Sequence, residues 1–380
     1  MKILVACDKF RGSLTAREAN TTILEALASS RLEAVGADVA IADGGEGTLD
    51  ALLSDSLTLT TSMITGPFGG TVEAPWGLDR AAARAVIEMA LAAGHHMVTA
   101  GYDPDRATSA GIGELIRAAL DEGVTEIVVS VGGSVSVDGG AGALESLGAR
   151  YFAADEEPVV SPAGRALHTV ESVDLSRLDP RLAGVTIILA ADVDNPLTGP
   201  RGAARVFGPQ KGVKADEIDA FDAALNHFAD RIATATGAPS LATTPFAGAA
   251  GGMMVGLSAA AETRAVDGFS LIYAHHRLDE RIAEADLVVT GEGSLDAQSL
   301  SGKGPVAVAR AAQAAGKPAI ALAGRVAATP DELAANGVTA AFAIGRAPAT
   351  LDDALKAAKT SLFDTARAAF DAVAAGRRLG

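Results

Sequence analysis

Short apolar runs alternate with amphipathic stretches along most of this chain. Residues 2–7, with Ile3-Leu4-Val5-Ala6 at their centre, read as a buried strand. Residues 16–29 carry Ala19, Ile23, Leu24 and Leu27 at helical spacing. Ser13 or Thr15 would cap that helix, since Glu18 lies three residues after Thr15. Residues 38–42 read as a second strand, running into Asp43-Gly44-Gly45-Glu46-Gly47-Thr48 and a helix from about Leu49. The C-terminal part repeats this style, with strands expected at 287–290, 318–323 and 340–344 and helices at 305–315 and from Leu351 onward.

Between them the pattern changes. Residues 57–64, 71–76 and 83–89 lean towards strand and are joined by short glycine-rich connections, which suits antiparallel hairpins. Helices are expected at 111–122 and 141–147, and strands at 126–131 and 185–190. Residues 150–179 read as irregular. A long helix at 215–236 has Ile218, Phe221, Leu225, Phe228 and Ile232 on one face. The fold class expected is α/β with two α/β domains. Residues 1–55 and 266–380 would form a discontinuous parallel-sheet domain, and residues 56–265 an inserted mixed-sheet domain.

Composition narrows the function classes. The chain has 380 residues, enough for two or three domains at ~100–200 residues each, and about half are hydrophobic. A formal net charge of -16 argues against a non-specific nucleic-acid binder, which needs a basic face. Cys7 is the single cysteine, so no intrachain disulfide forms and a reducing compartment is consistent. The N-terminal apolar run is too short for a secretory signal, and no uncharged stretch approaches the ~20 residues of a membrane span. The expectation is a cytoplasmic protein with neither a nucleic-acid nor a membrane partner. A homo-oligomer is left open.

Chemistry concentrates where strands end. The central stretch is ADVDNPLTGPRGAARVFGPQK, residues 191–211, fed by the apolar run 185–190. Asp192 and Asp194 lie two residues apart, and Asn195-Pro196 breaks the strand. Glycines and Lys211 follow. Other strand ends repeat glycine plus acid: Asp43-Gly44-Gly45-Glu46, Gly132-Gly133-Ser134 with Asp138-Gly139, and Gly291-Glu292-Gly293 with Asp296. Ligands of open α/β sheets bind beyond the carboxyl ends of strands, and glycines let backbone N–H groups approach an anion. Acids without a histidine or cysteine cluster suit magnesium and phosphoryl transfer. Standard nucleotide motifs do not explain the chain. Gly302-Lys303-Gly304 lacks the hydroxyl residue of a Walker A motif, and Gly291-Glu292-Gly293 lacks the third glycine of a dinucleotide fingerprint, which counts against a nicotinamide enzyme. His95-His96 and His275-His276 are adjacent pairs, not metal spacings. Cys7 reads as a small core residue and Met253-Met254 as packing.

Taken together the motifs resemble the class I glycerate kinase family along nearly the whole chain. The matching stretches, in order, are residues 8–14 (DKFRGSL), 42–48 (ADGGEGT), 108–116 (TSAGIGELI), 132–142 (GGSVSVDGGAG), 191–203 (ADVDNPLTGPRGA), 207–212 (FGPQKG), 248–252 (GAAGG), 291–298 (GEGSLDAQ) and 321–324 (ALAG). The resemblance implies ATP-dependent phosphorylation of D-glycerate with a divalent metal such as Mg2+. It also implies two α/β domains, one discontinuous and flavodoxin-like, with the active site between them. The product favoured is 2-phosphoglycerate over 3-phosphoglycerate.

On that reading Asp192, Lys211 and Arg11 are the expected catalytic residues, with Asp192 as base because it lies closest to the end of its strand. Lys9, Ser13, Gly44, Gly45, Ser134, Gly139, Asn195, Gly291 and Lys303 would bind substrate or phosphate. Asp43, Glu46, Asp138, Asp194 and Glu292 would supply metal ligands. Spacing alone does not divide base from ligand among these acids. The chain departs from the family pattern at Ser294, where Arg is expected, and at Val137, Ala110, Ile112, Lys9 and Cys7. Those changes touch substrate choice, and a kinase for another small sugar acid, or a non-catalytic binding protein of the same fold, are the competing readings.

Overall fold

The structure, a computed structural model, describes residues 1–53, 56–297, 299–301, 304–345 and 347–378. The chain divides into two compact units. One comprises Met1–Asp43, Asp50–Leu52 and Phe269–Gly380, the other Gly44–Leu49 and Leu53–Gly268.

The first unit is built on a five-stranded sheet that is parallel throughout. Its spatial order is Ala340–Ala343, Ala319–Val326, Leu287–Leu295, Lys2–Cys7, Val35–Asp38. Numbered as they occur within this unit, the strands run 2-1-3-4-5, the flavodoxin-like order. Ile3, Val5, Leu287 and Val289 pack with Ile23 of the helix Ala16–Ala28 and with Leu362 and Phe370 of the helix Leu351–Gly376. Each such side chain contributes about 1.5–3 kcal/mol on burial. Thr15 caps the first of these helices in a capping box with Glu18.

The second strand differs from the expectation at residues 38–42. The ladder with Lys2–Cys7 covers Val35–Asp38, most of which is exposed. Val39–Ala42 is the buried part, held by bonds from the Val39 and Ile41 N–H groups to the Val5 and Cys7 carbonyls. Hydrophobicity marked the covered segment rather than the paired one.

The second unit holds a six-stranded mixed sheet in the order Glu262–Asp267, Thr186–Ala191, Glu126–Ser130, Arg84–Glu88, Thr71–Asp79, Leu57–Thr65. The first four are parallel and the last two antiparallel. One face packs Ile87, Ile127, Val129, Ile187 and Leu189 against Ile112 and Leu115 of the helix Ala110–Asp121. A second cluster sets Leu144 and Tyr151 against Phe221, Leu225 and Phe228 of the helix Ile218–Thr236. That helix ends at Gly237, whose φ of 71° is the left-handed stop that glycine favours. Residues 150–179, expected to be irregular, contain a small antiparallel sheet of Pro158–Val159, Arg150–Phe152 and Ser172–Asp174. Strands of two or three residues are too short to leave a periodic signal. Among the described residues no helix is long and apolar enough to cross a membrane.

Candidate active site

In a 2-1-3-4-5 sheet the ligand crevice opens where strand order reverses, beyond the carboxyl ends of strands one and three. Here those are Lys2–Cys7 and Leu287–Leu295, and the residues there are acids. The Asp8 N–H donates to the Gly291 carbonyl at 2.9 Å. The Asp8 carboxylate accepts the Lys9 N–H at 2.6 Å, and the Lys9 ammonium lies 3.6 Å from Asp8 and 3.7 Å from Asp43. Burial pushes the Asp8 carboxyl up to about 6; Lys9 opposes this and Asp43 adds to it.

Glu292 follows Gly291 on the neighbouring strand. Burial pushes its carboxyl up to about 7, opposed by a hydrogen bond from Ser299 and reinforced by Asp8, Asp296 and Asp43. Glu292 Oε1 is buried with no hydrogen-bond partner among the described residues. Gly291 is needed for packing, since a Cβ there would lie 2.2 Å from the Leu322 carbonyl oxygen. Arg11 is exposed. The Ser13 hydroxyl donates to the Phe10 carbonyl at 2.9 Å and tightens the turn. Ser294 donates to Asp296. Lys303 lies outside the described residues.

The second unit offers a different constellation. Lys211 sits in the 3-10 turn Pro209–Lys211 and is 3% exposed. Its ammonium donates to the Ser134 hydroxyl at 2.9 Å and the Ser136 carbonyl at 2.8 Å. Burial draws it down to about 7, with Asp138 opposing. Asp138, also buried, accepts the Ser109 N–H and hydroxyl and the Gly140 and Gly142 N–H groups. Burial raises its pKa, and these donors oppose the rise. Four donors make this carboxylate a clamp that fixes the loop beneath Lys211.

Gly139, at φ 62°, would place a Cβ 2.8 Å from Phe228. Gly44 would place one 2.9 Å from Gly268, and Gly132 one 2.4 Å from the Gly45 Cα. Backbone crosses backbone at Gly44 and Gly132 and a ring abuts Gly139, so close packing favours glycine at all three. Glu88 accepts the Gly47 and Leu49 N–H groups and anchors the loop, while Glu46 is exposed. His95 bonds the Tyr102 hydroxyl at 3.0 Å; burial and Lys211 lower its pKa, with Glu46 opposing.

Asp192 is half-buried, directly beyond the strand Thr186–Ala191. Asp194 is exposed and paired with Arg201. The Asn195 side chain donates to the Arg201 carbonyl at 2.7 Å. The structure therefore gathers Lys9, Asp43 and Glu292 in the first unit, and Lys211, Ser134 and Asp138 in the second. Among the described residues no trio of His, Cys, Asp or Glu side chains is placed to hold a metal ion.

Sequence reasoning passed over four contributors. Asp8 carries the same signal as Asp192, an acid directly after an apolar strand, and was within reach. Glu88 likewise ends a strand. Ser109 and Ser136 gave none, because their partners are fixed only by tertiary packing.

The comparisons agree with one another. The model of the glycerate kinase family matches residues 3–374. A protein of Bacillus subtilis (strain 168) named glycerate kinase is 39% identical, over 97% of this chain and 96% of its own. A protein of Escherichia coli (strain K12) named glycerate 2-kinase is 38% identical, over 100% and 99%. A crystal structure from Salmonella typhimurium LT2, assigned as glycerate kinase 2, aligns with a TM-score of 0.86 at 40% identity, covering 100% of this chain and 99% of the other.

Proposed function

Because this chain belongs to the glycerate kinase family, phosphotransferases that act on a hydroxyl group, we propose that it phosphorylates D-glycerate with ATP, giving 2-phosphoglycerate. One observation carries the reading: similarity to relatives named glycerate kinase spans both units almost end to end. The Escherichia coli relative, named glycerate 2-kinase, favours the 2-product.

Asp192 is the base that orients the substrate hydroxyl and takes its proton. Lys211 answers negative charge. With a pKa near 7 and neutral hydrogen-bond partners, its ammonium is stabilised when an anion arrives, so phosphate or carboxylate binding draws a proton onto it. Lys9, Arg11 and Lys303 serve as further anion contacts.

The residues of the first unit fit magnesium. The ion takes one or two carboxylates together with water and substrate phosphate, and Glu292 has a buried oxygen with no partner among the described residues, beside Asp8 and Asp43. Asp43 and Glu292 would hold it, and it would supply charge neutralisation at the phosphates. Asp138, filled by four donors, and Asp194, paired with Arg201, are weaker choices.

The test is a coupled assay of ADP release with D-glycerate, followed by phosphorus and proton NMR of the product. Turnover to 2-phosphoglycerate, abolished by EDTA and restored by magnesium, is the expected result. Preference for another hydroxy acid would reassign the substrate, and ATP binding without turnover on any of them would favour a non-catalytic protein.

A further inference from the structure

The six-stranded sheet ends at Leu57–Thr65, and this edge differs from the other three outer strands of the two large sheets. It is nine residues long, against four for the outer strands Val35–Asp38 and Ala340–Ala343. Its sequence, LTLTTSMIT, has no charge, whereas the opposite outer strand Glu262–Asp267 carries Glu262, Arg264 and Asp267. Proteins guard open edges by shortness or charge, and this strand has neither. Leu59 and Met63 are 52% and 65% exposed on one face of it.

The backbone directions follow from the hairpin. The Gly66 N–H donates to the Gly70 carbonyl at 3.0 Å, so the next pair, Thr65 with Thr71, is not hydrogen-bonded. The Thr65 N–H indeed turns away and donates to Glu114 at 2.6 Å. The register runs unbroken from there to Leu57, so Met63, Thr61 and Leu59 also aim their N–H and C=O groups at the open edge.

We propose that this edge is a homodimer interface in which a second copy pairs antiparallel about a two-fold axis through Thr61. Leu59 then stands opposite Met63 of the partner subunit, Met63 opposite the partner's Leu59, and Thr61 opposite itself. Three such pairs exchange about six hydrogen bonds, and two of them join exposed apolar side chains. The pattern is self-complementary, as a two-fold interface requires. Charge selects the same partner. A chain of net charge -16 repels its copy over most of its surface, but this ladder sets no charge opposite another. A ladder on Glu262–Asp267 would instead have to bring Glu262, Arg264 and Asp267 against their own copies.

Sedimentation velocity at micromolar concentration should give twice the 38.1 kDa chain mass. Thr61→Lys, which opposes two like charges across the axis, and Thr61→Pro, which removes only the outward N–H, should both sediment as monomers with unchanged far-ultraviolet circular dichroism. Thr61→Cys should cross-link into a covalent dimer on oxidation, since hydrogen-bonded pairs hold Cα atoms ≈5.5 Å apart, within disulfide reach. The native Cys7 is buried and does not compete. A monomeric wild type, or a dimer that survives both Lys and Pro and fails to cross-link, would overturn the proposal.

Discussion

In the first unit the charged residues stand where strand order reverses, and they are carboxylates crowded around one lysine. In the second unit strand order runs monotonically along the sheet, and the charged centre is one buried lysine held by serines above a clamped aspartate. Burial acts on both and drives each towards its neutral form, so the acids rise while Lys211 falls. A site left in this state gains from a ligand that restores the lost charge: a cation among the acids, an anion at the lysine. The opposite directions of the two shifts are what the cation and anion proposed above would each reverse.

The largest expected effect tests whether the second unit carries the chemistry. Asp192→Asn is nearly isosteric and should lower kcat by about 10²–10⁴-fold, the contribution of a positioned base. Its magnesium requirement should stay as in the wild type when kinetics are measured at several magnesium concentrations. A normal kcat would move the base to Asp43 or Asp138. Lys211→Met should come next, at about 10²–10³-fold in kcat/KM, as for loss of one donor to developing charge. Steady-state kinetics giving a loss below tenfold would end the parallel between the two clusters.

A smaller effect separates the clusters by pH. Glu292 moves from 4.5 to about 7 and Asp8 from 3.8 to about 6, so their contribution to stability is full below 4 and is lost as pH rises towards 7. Lys211 moves from 10.5 to about 7, so its contribution is full above 10.5 and is lost as pH falls towards 7. Thermal unfolding in EDTA should therefore show a dip in Tm near neutral pH. Glu292→Gln should make the acid side shallower, leaving the part due to Asp8, and Lys211→Met should flatten the alkaline side. Magnesium should fill the acid side, and an unchanged profile in both variants would show that the buried charges are matched elsewhere.

Much of this fold was legible because its strands are apolar and its loops are glycine-rich. The alternation at both ends of the chain gave the α/β class, and the hairpin spacing gave the antiparallel strands Leu57–Thr65 and Thr71–Asp79. What stayed hidden depends on distance in sequence. The Asp138 clamp draws on Ser109, 29 residues away, and the Lys211 ammonium reaches Ser134, 77 residues away. Residue type marked Asp138 and Lys211 as chemically capable, but only packing tells a filled carboxylate from an open one. The glycines carry two signals at once: Gly44 and Gly132 read as part of an anion cradle, and close backbone crossing is by itself a reason for glycine there.

The split course of the first unit has a consequence for how the molecule comes into being. The Lys2–Cys7 strand leaves the ribosome before the second unit, yet its neighbour Leu287–Leu295 is joined to it by bonds such as Thr290 to Ala6, 284 residues apart. Ile3, Val5 and Cys7 must wait while the entire second unit is translated and collapses. Such non-local closure is slow, and an uncovered apolar strand is a target for chaperones and for wrong pairings. The centre of this sheet is thus completed only after the second unit has been made.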